Sequence, residues 1–284
     1  MRIRPRKRDV KFFESLPAFD WRLGHVSPLE YLGEAHNLAT AGAAHWAYHV
    51  HDALSTARFG LFMAHSNQHP GTHDRASRIF IKICWFNLAV LSLQSSWDKL
   101  AHLIRYRLLV KEWKYLDRQG TLKSKKVSDE NTNLWTAARH IDASTQPTPT
   151  ERQLLAFVGD RETRIVRRVA NNLKHGETLA WKGFEVVPVI EMEYDVQPME
   201  PTEARPKRPD VGWLFSVQAH DTRPDGTEVA TRMHYGQKRQ LDIHQAVRRV
   251  AAVYRRFAPV ADGITRDYLG LAPANSGLFA PHAT

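Results

Sequence analysis

The sequence predicts a mainly α protein, an antiparallel helical bundle with a small β insert before its last helix. Three observations support this class. Apolar residues recur at helical spacing in two long stretches, from about residue 28 to 63 and from about residue 74 to 116. A third stretch, 148–176, carries residues typical of helix starts and ends. An extended pattern then begins near residue 184, and helical periodicity returns after Asp242.

Four segments organise the chain in this interpretation. Residues 1–27 form an irregular basic arm that Phe12, Phe13, Phe19 and Trp21 dock on the core, and residues 28–180 form the helical bundle. Residues 181–239 form the β insert, and residues 240–284 the last helix and a tail.

The insert is predicted to contain an edge strand and a hairpin. Pro188 within the apolar run 184–190 places that strand at the edge of a sheet, because proline donates no backbone hydrogen bond. Strands 212–218 and 228–235 flank a Pro-Asp-Gly turn and form the hairpin. The Lys- and Ser-rich segment 120–129 is predicted to be a loop.

Charge points to a polyanionic partner. The net charge is +10 and the pI is near 9.8. This favours nucleic acid first and an anionic membrane surface second. A solvated basic surface without any partner is the alternative.

The remaining composition predicts a soluble cytoplasmic protein without membrane association. Hydrophobic residues make up 43% and charged residues 25% of the 284 residues. Cys84 is the sole cysteine, which excludes an intrachain disulfide and suits a reducing compartment. The basic start leads into no long apolar region, and the apolar run 79–93 is interrupted by Lys82 and too short to span a bilayer.

The stretch 148–176 is predicted to be one helix. Thr148 fits an N-cap, Pro149 the first helical position and Glu151 a capping box, while Gly176 fits the C-terminal end. Its apolar stripe consists of Leu154, Val158, Ile165, Val169 and Leu173. We expect Val169 and Leu173 to be buried against the long helix of residues 74–116.

The opposite face of this helix is cationic and suited to a phosphate. At about 100° per residue, polar side chains without a carboxylate among them share that face. They are Arg161, Arg164, Arg168, Asn171, Asn172 and His175. Guanidinium groups bind phosphate through paired N–H donors, so the face predicts a site for a phosphodiester.

Arg168 and His175, separated by six residues, together with the run Asn-Asn-Leu-Lys-His-Gly at 171–176, resemble the R-x4-6-H motif of the HEPN superfamily. That family comprises helical-bundle ribonucleases and RNA-binding domains, and the resemblance covers about half the chain. It implies a HEPN-like bundle that acts as a metal-independent endoribonuclease, as a toxin or defence effector. It also implies a homodimer, attack of the RNA 2′-hydroxyl on the adjacent phosphate, and an antitoxin or regulatory protein as a further partner.

The resemblance assigns roles to individual residues. His175 would transfer protons near neutral pH, Arg168 would stabilise charge on the phosphate, and Asn171 would orient either of them. Asp98, on the preceding long helix, would support the motif Arg or His. The residues predicted to bind RNA are Arg161, Arg164, Asn172 and Lys174.

Each assignment has a structural alternative. The cationic face with a terminal His is also what a solvated surface helix looks like. For Asp98, the alternative is a structural salt bridge to Arg105, Arg161 or Arg164.

Two other functions stay open. Many HEPN members have Arg five positions before the His, where this chain has Ala170. This favours a non-catalytic module that binds RNA or protein through the same fold. A helical scaffold without a ligand is the third hypothesis.

Histidine spacing raises the question of a metal. His45 and His49 are four residues apart, as are His65, His69 and His73 in succession, and two histidines at this spacing can share an ion. No Cys or carboxylate completes a set. The sequence therefore predicts neither a metal site nor a cofactor, and it contains no Gly-rich phosphate loop.

Overall fold

The fold is that of a computed structural model, which describes residues 6–18, 38–67, 74–144, 146–176, 179–182, 187–194, 208 and 210–270. The chain is mainly α, as predicted, with about 60% helix, and the described residues form seven helices and two small sheets. The helices are α1 (Lys7–Glu14), α2 (Leu38–His65), α3 (Arg75–Arg107), α4 (Leu134–Ser144), α5 (Pro149–Gly159), α6 (Arg161–Lys174) and α7 (Ile243–Leu269). The strands are β1 (Glu112–Leu116), β2 (Leu122–Lys126), β3 (Pro188–Tyr194), β4 (Val211–Thr222) and β5 (Glu228–Lys238).

The chain divides into two compact units. The first comprises residues 1–174 and 247–284, and it contains α1 to α6, most of α7, and the ribbon of β1 and β2. The second comprises residues 175–246 and contains β3, β4 and β5.

Helices α2 and α3 form a closely packed antiparallel pair in the first unit. Trp46 stacks on His102 with ring centroids 4.3 Å apart. Further along α2, Gly60 lies against Ala89, so the numbering rises on one helix as it falls on the other. A Cβ added at Gly60 would lie 3.0 Å from the Cβ of Ala89. The glycine therefore permits a helix separation that a larger residue would prevent.

An aromatic cluster joins four helices around Trp97 of α3. The Trp97 side chain is fully buried. Its ring meets Trp135 of α4, Phe157 of α5 and Phe257 of α7 edge-on, with centroids 5.4, 6.0 and 6.1 Å apart. Such edge-to-face contacts add to the stabilisation from burial of the rings.

The N-terminal arm contains a helix that was not predicted. Residues 7–14 form α1, whereas the sequence predicts an irregular segment. Phe12 stacks on His65 with centroids 3.9 Å apart, and Phe13 packs edge-on against α2. The predicted docking through aromatic residues is thus confirmed for these two. Phe19 and Trp21 lie outside the described residues, as do His69 and His73.

Helix α3, the second of the two long predicted helices, ends earlier than predicted. It stops at Arg107, and Leu109 adopts a positive φ of 49°. Residues predicted as the end of the helix and as a loop instead form the antiparallel strands β1 and β2. In β1 only Trp113 is buried, and every residue of β2 is exposed. A Lys-rich strand with no buried side carries no apolar alternation, so no pattern of residues predicts it.

Helix α3 is long and apolar enough to cross a membrane, by length and composition only. The prediction that this region is too short for a span was therefore wrong as to length. It is the one such helix among the described residues, and a third of its most apolar window is buried. The core helix of a soluble protein passes the same test, and α3 packs against α2, so this observation is weak evidence for a span.

The second unit contains a three-stranded antiparallel sheet in the order β3–β5–β4. The predicted hairpin is confirmed as β4 and β5. Its turn ends at Gly226, which has φ +84° and donates its N–H to the Arg223 carbonyl at 2.9 Å. The edge strand β3 runs from Pro188 to Tyr194, so it extends beyond the predicted end at residue 190, and residues 184–186 of the prediction lie outside the described residues. Proline at the first position of an edge strand costs no ladder hydrogen bond.

A buried pair of opposite charges lies where α1 meets the α2–α3 pair. Asp9 is 0% exposed and Lys82 is 3% exposed. The Lys82 ammonium donates to the Asn67 side-chain oxygen and to the His65 carbonyl. Burial and the nearby positive charge of Arg8 together lower the pKa of Lys82 to about 8, against the opposing effect of Asp9.

This depressed pKa predicts a rise of stability with pH that depends on Lys82. Between about pH 8 and 10.5, the unfolded chain holds a proton that folded Lys82 has released, so unfolding becomes less favourable as pH rises. The free energy of unfolding of the wild type minus that of Lys82→Met should increase by as much as about 3 kcal/mol over that window. Urea denaturation at several pH values measures it. A difference that stays constant would contradict the assignment, and the subtraction cancels the other titrating groups.

Candidate functional site

The stretch 148–176 forms two helices, not the single helix predicted. The predicted capping box is confirmed, since the Thr148 side chain accepts from the Glu151 N–H and Glu151 accepts from the Thr148 N–H. Asp160, however, has an extended backbone, with φ −68° and ψ 141°. Its carboxylate accepts the N–H of Thr163 at 2.9 Å, which starts α6. Asp160 thus ends α5 and caps the next helix.

Two ion pairs hold the start of α6 on α7. The Asp160 carboxylate lies 2.9 Å from Arg256, and Glu162 lies 2.8 Å from Arg249. The hydrogen bond from Thr163 and the contact with Arg256 hold the pKa of Asp160 below its usual value. Arginines of α7 therefore neutralise the carboxylates of this turn. These carboxylates are not the partners of the exposed arginines of α6.

The buried face of α6 differs from the predicted face. Thr163, Val166 and Ala170 are buried, whereas Val169 and Leu173 are only half-buried. The predicted burial of the last two was wrong because the break at Asp160 interrupts the apolar stripe that begins with Leu154. Ala170, at the position where many HEPN members carry Arg, faces the interior of the first unit.

One row of polar residues on α6 faces α3. Arg167, Asn171 and Lys174 follow each other at spacings of four and three residues and therefore share a face. The Asn171 oxygen accepts a hydrogen bond from Gln94 of α3 at 2.8 Å. The side-chain oxygen of Asn171 is thus engaged with α3.

Asp98 lies in the same contact between α3 and α6. Burial raises the pKa of Asp98, and the positive charges of Lys174 and Arg167 oppose the rise. The positive charges that act on Asp98 are thus those of Lys174 first and of Arg167 second, and no ion pair between the described residues joins Asp98 to Arg168. The structural alternative fails for Arg105, which pairs with Asp129 at 2.9 Å.

The second row of α6 points to solvent. Arg161, Arg164 and Arg168 are exposed and form no ion pair with a described residue, and Asn172 is half-buried. His175 is exposed, in the turn that follows α6. The predicted glycine end is confirmed, since Gly176 has φ +74°.

Sequence reasoning missed the residue that links the cationic helix to the aromatic core. The Arg167 guanidinium lies over the Trp135 ring, 3.9 Å from its centroid. Burial lowers the pKa of Arg167, and Asp98 opposes the shift. The sequence shows that Arg167, Asn171 and Lys174 share one face of a helix. It does not show that this face is directed towards α3, since that depends on where α6 begins.

The second unit contains a connected set of three polar side chains that the sequence did not indicate. Ser216 and His234 are direct cross-strand partners, with Oγ and Nδ1 2.6 Å apart. The other ring nitrogen of His234 lies 3.2 Å from a Glu193 oxygen. His234 is 1% exposed, so we interpret this set of polar side chains as structural, connecting the strands of the sheet.

Comparison of the chain with protein-family models, with curated proteins and with solved structures gave no match.

A double-mutant cycle distinguishes the two arginines. Asp98→Ala leaves the half-buried Arg167 without its opposing charge, so the Asp98–Arg167 pair should show a coupling energy of about 0.5–3 kcal/mol in unfolding measurements. The matched pair Asp98–Arg168 should show a coupling near zero, because Arg168 points to solvent. Equal coupling energies in the two cycles would contradict the placement of Arg167 towards α3 and of Arg168 towards solvent.

Proposed function

We propose that the chain is a HEPN-like, metal-independent endoribonuclease, acting as a toxin or defence effector in the cytoplasm. One observation carries the proposal. Three exposed arginines, Arg161, Arg164 and Arg168, line one face of α6 without an ion pair to a described residue, and the exposed His175 follows the helix. A phosphodiester backbone is the ligand that such a row of free guanidinium groups binds best.

The electrostatics of the first unit support this assignment. Glu162 and Asp160, the acidic residues nearest the row, are paired with Arg249 and Arg256 of α7. The row therefore presents uncompensated positive charge. Lys174 adds a further cation at the end of α6, where it also acts on Asp98.

The residue types suit cleavage that uses the nucleophile of RNA itself. In the proposed reaction His175 removes the proton of a 2′-hydroxyl and the 2′-oxygen attacks the adjacent phosphorus. The bond between phosphorus and the 5′-oxygen breaks, and water supplies the proton that the 5′-oxygen takes up. The products are a 2′,3′-cyclic phosphate and a 5′-hydroxyl. Arg168 stabilises the charge that builds on the phosphate oxygens. Asn171 and Asp98 become positioning residues, since Asn171 of α6 is hydrogen-bonded to Gln94 of α3 and Asp98 of α3 faces α6.

A non-catalytic module that binds RNA is the second candidate. Burial of Ala170 favours it, because this position cannot present a polar side chain to a substrate. The same cationic row would then hold RNA without cutting it. An antitoxin or regulatory protein could occupy the same surface in either case.

Cleavage of a defined RNA by variants tests the proposal. His175→Ala should lower cleavage about 10²-fold or more if His175 transfers protons in the transition state, without loss of the fold. Arg168→Ala should lower it comparably, and Arg168→Lys should restore it only in part, because Lys lacks the planar pair of donors. EDTA should have no effect.

Matched controls are an exposed histidine and an exposed arginine elsewhere. His220→Ala and Arg248→Ala should cleave like the wild type, since both side chains are exposed and distant in sequence from the row. Full activity of His175→Ala would remove His175 from the mechanism. An inactive wild type whose RNA affinity falls steeply with salt, and falls again in Arg168→Ala, would establish the binding module instead.

We further propose that the chain forms a homodimer through α3. Phe80, Cys84, Leu88 and Leu91 lie on one side of this helix, and all four are exposed. An apolar stripe of this kind on a helix surface is typical of a protein interface. A two-fold symmetric pairing of the stripes would bring the two copies of the sole cysteine close together.

Sedimentation measurements test the dimer. Leu88→Asp should convert a dimer to a monomer, because it places a charge in the apolar stripe. Leu122→Asp, on the exposed strand β2, is the matched control and should stay dimeric. A wild type that sediments as a monomer at micromolar concentration would contradict the proposal. Oxidation should also produce a disulfide-linked dimer of the wild type, and none of Cys84→Ser.

A further inference from the structure

A pair of histidines on α2 is arranged as a chelate. His45 and His49 are one helical turn apart, and their Nε2 atoms lie 3.2 Å from each other. His45 is exposed and His49 is half-buried, so the pair is open to solvent on one side. Both rings belong to the first unit, on the helix that packs against α3.

The distance between the two nitrogens fits one metal ion. With zinc–nitrogen bonds of about 2.0–2.1 Å, nitrogens 3.2 Å apart subtend about 100° at the ion, close to a tetrahedral angle. A neutral imidazole offers one lone pair, so two rings whose Nε2 atoms are unprotonated can each supply one ligand to the same ion. A hydrogen bond between the rings, by contrast, uses only one of them as acceptor.

The surroundings hold the rings in this position. The Trp46 ring lies 5.6 Å from each imidazole, centroid to centroid, and Trp46 is itself stacked on His102 of α3. The two histidines therefore sit on a rigid helix beside a fixed aromatic wall. Preorganised ligands lose little conformational entropy when they bind an ion.

We propose that His45 and His49 form a binding site for a late first-row transition-metal ion such as Zn²⁺ or Ni²⁺. Imidazole is a preferred ligand of these ions. Within the part of the chain that the structure describes, no third His, Cys, Asp or Glu joins the pair. Water, or a ligand from another molecule, completes the coordination. The site is distinct from the α6 surface, and its ion takes no part in the proposed cleavage.

Isothermal titration with Ni²⁺ and with Zn²⁺ at pH 7.5 tests the site. The chain contains 15 histidines, so the informative quantity is the difference between variants. Relative to the wild type, His45→Ala and His49→Ala should each lose one bound ion or bind it at least about tenfold more weakly, a change of about 1.4 kcal/mol. His220→Ala, at an exposed histidine in the second unit, should bind like the wild type.

Unchanged stoichiometry and affinity in His49→Ala would overturn the proposal. RNA cleavage by His45→Ala should equal that of the wild type, so a failure of the metal site and a failure of the ribonuclease proposal give different results.

Discussion

The close packing of α2 against α3 is the constraint on which the rest of the first unit depends. Alanine and glycine on α2 let the two backbones approach, as at Gly60 and Ala89. One side of α3 packs against α2, and its other sides contact the aromatic core and α6. Trp97 fills the aromatic core, and Gln94 and Asp98 meet α6. A displacement of α3 would therefore move the core and the polar contact with α6 together.

The second determinant is the turn at Asp160. By ending α5 and capping α6, Asp160 sets the orientation of α6 about its own axis, and therefore which of its residues face the interior. That orientation decides that Ala170 is buried, that Arg167 lies over Trp135, and that Arg168 points to solvent. A continuous helix from residue 149 to 174 would have a different phase at each of these positions. The division of α6 into an inner and an outer polar row thus follows from one capping carboxylate.

The accuracy of prediction from sequence followed the range of the interactions involved. Features set by local chemistry were correct, such as the capping box at Thr148, the glycine end at Gly176 and the hairpin turn at Gly226. Features set by tertiary contacts were not. The burial of Val169 depends on helical phase across a break, and strand β2 depends on pairing with β1. A one-residue change of phase turns a helix by about 100°, which is enough to exchange Arg168 for Arg167.

The net charge of +10 overstates the positive charge that is available to a polyanion, because much of it serves the fold. Arg256 and Arg249 neutralise acids of α6, and Arg255 and Arg58 donate to the backbone around α1. Arg107 donates to the Tyr268 carbonyl, and Arg167 lies on an aromatic ring. The outer row of α6 differs from these residues in being both exposed and free of an ion pair to a described residue. Electrostatic attraction of a phosphodiester depends on charge of this kind. The location of uncompensated arginines, more than their total number, therefore makes α6 the surface on which function is proposed.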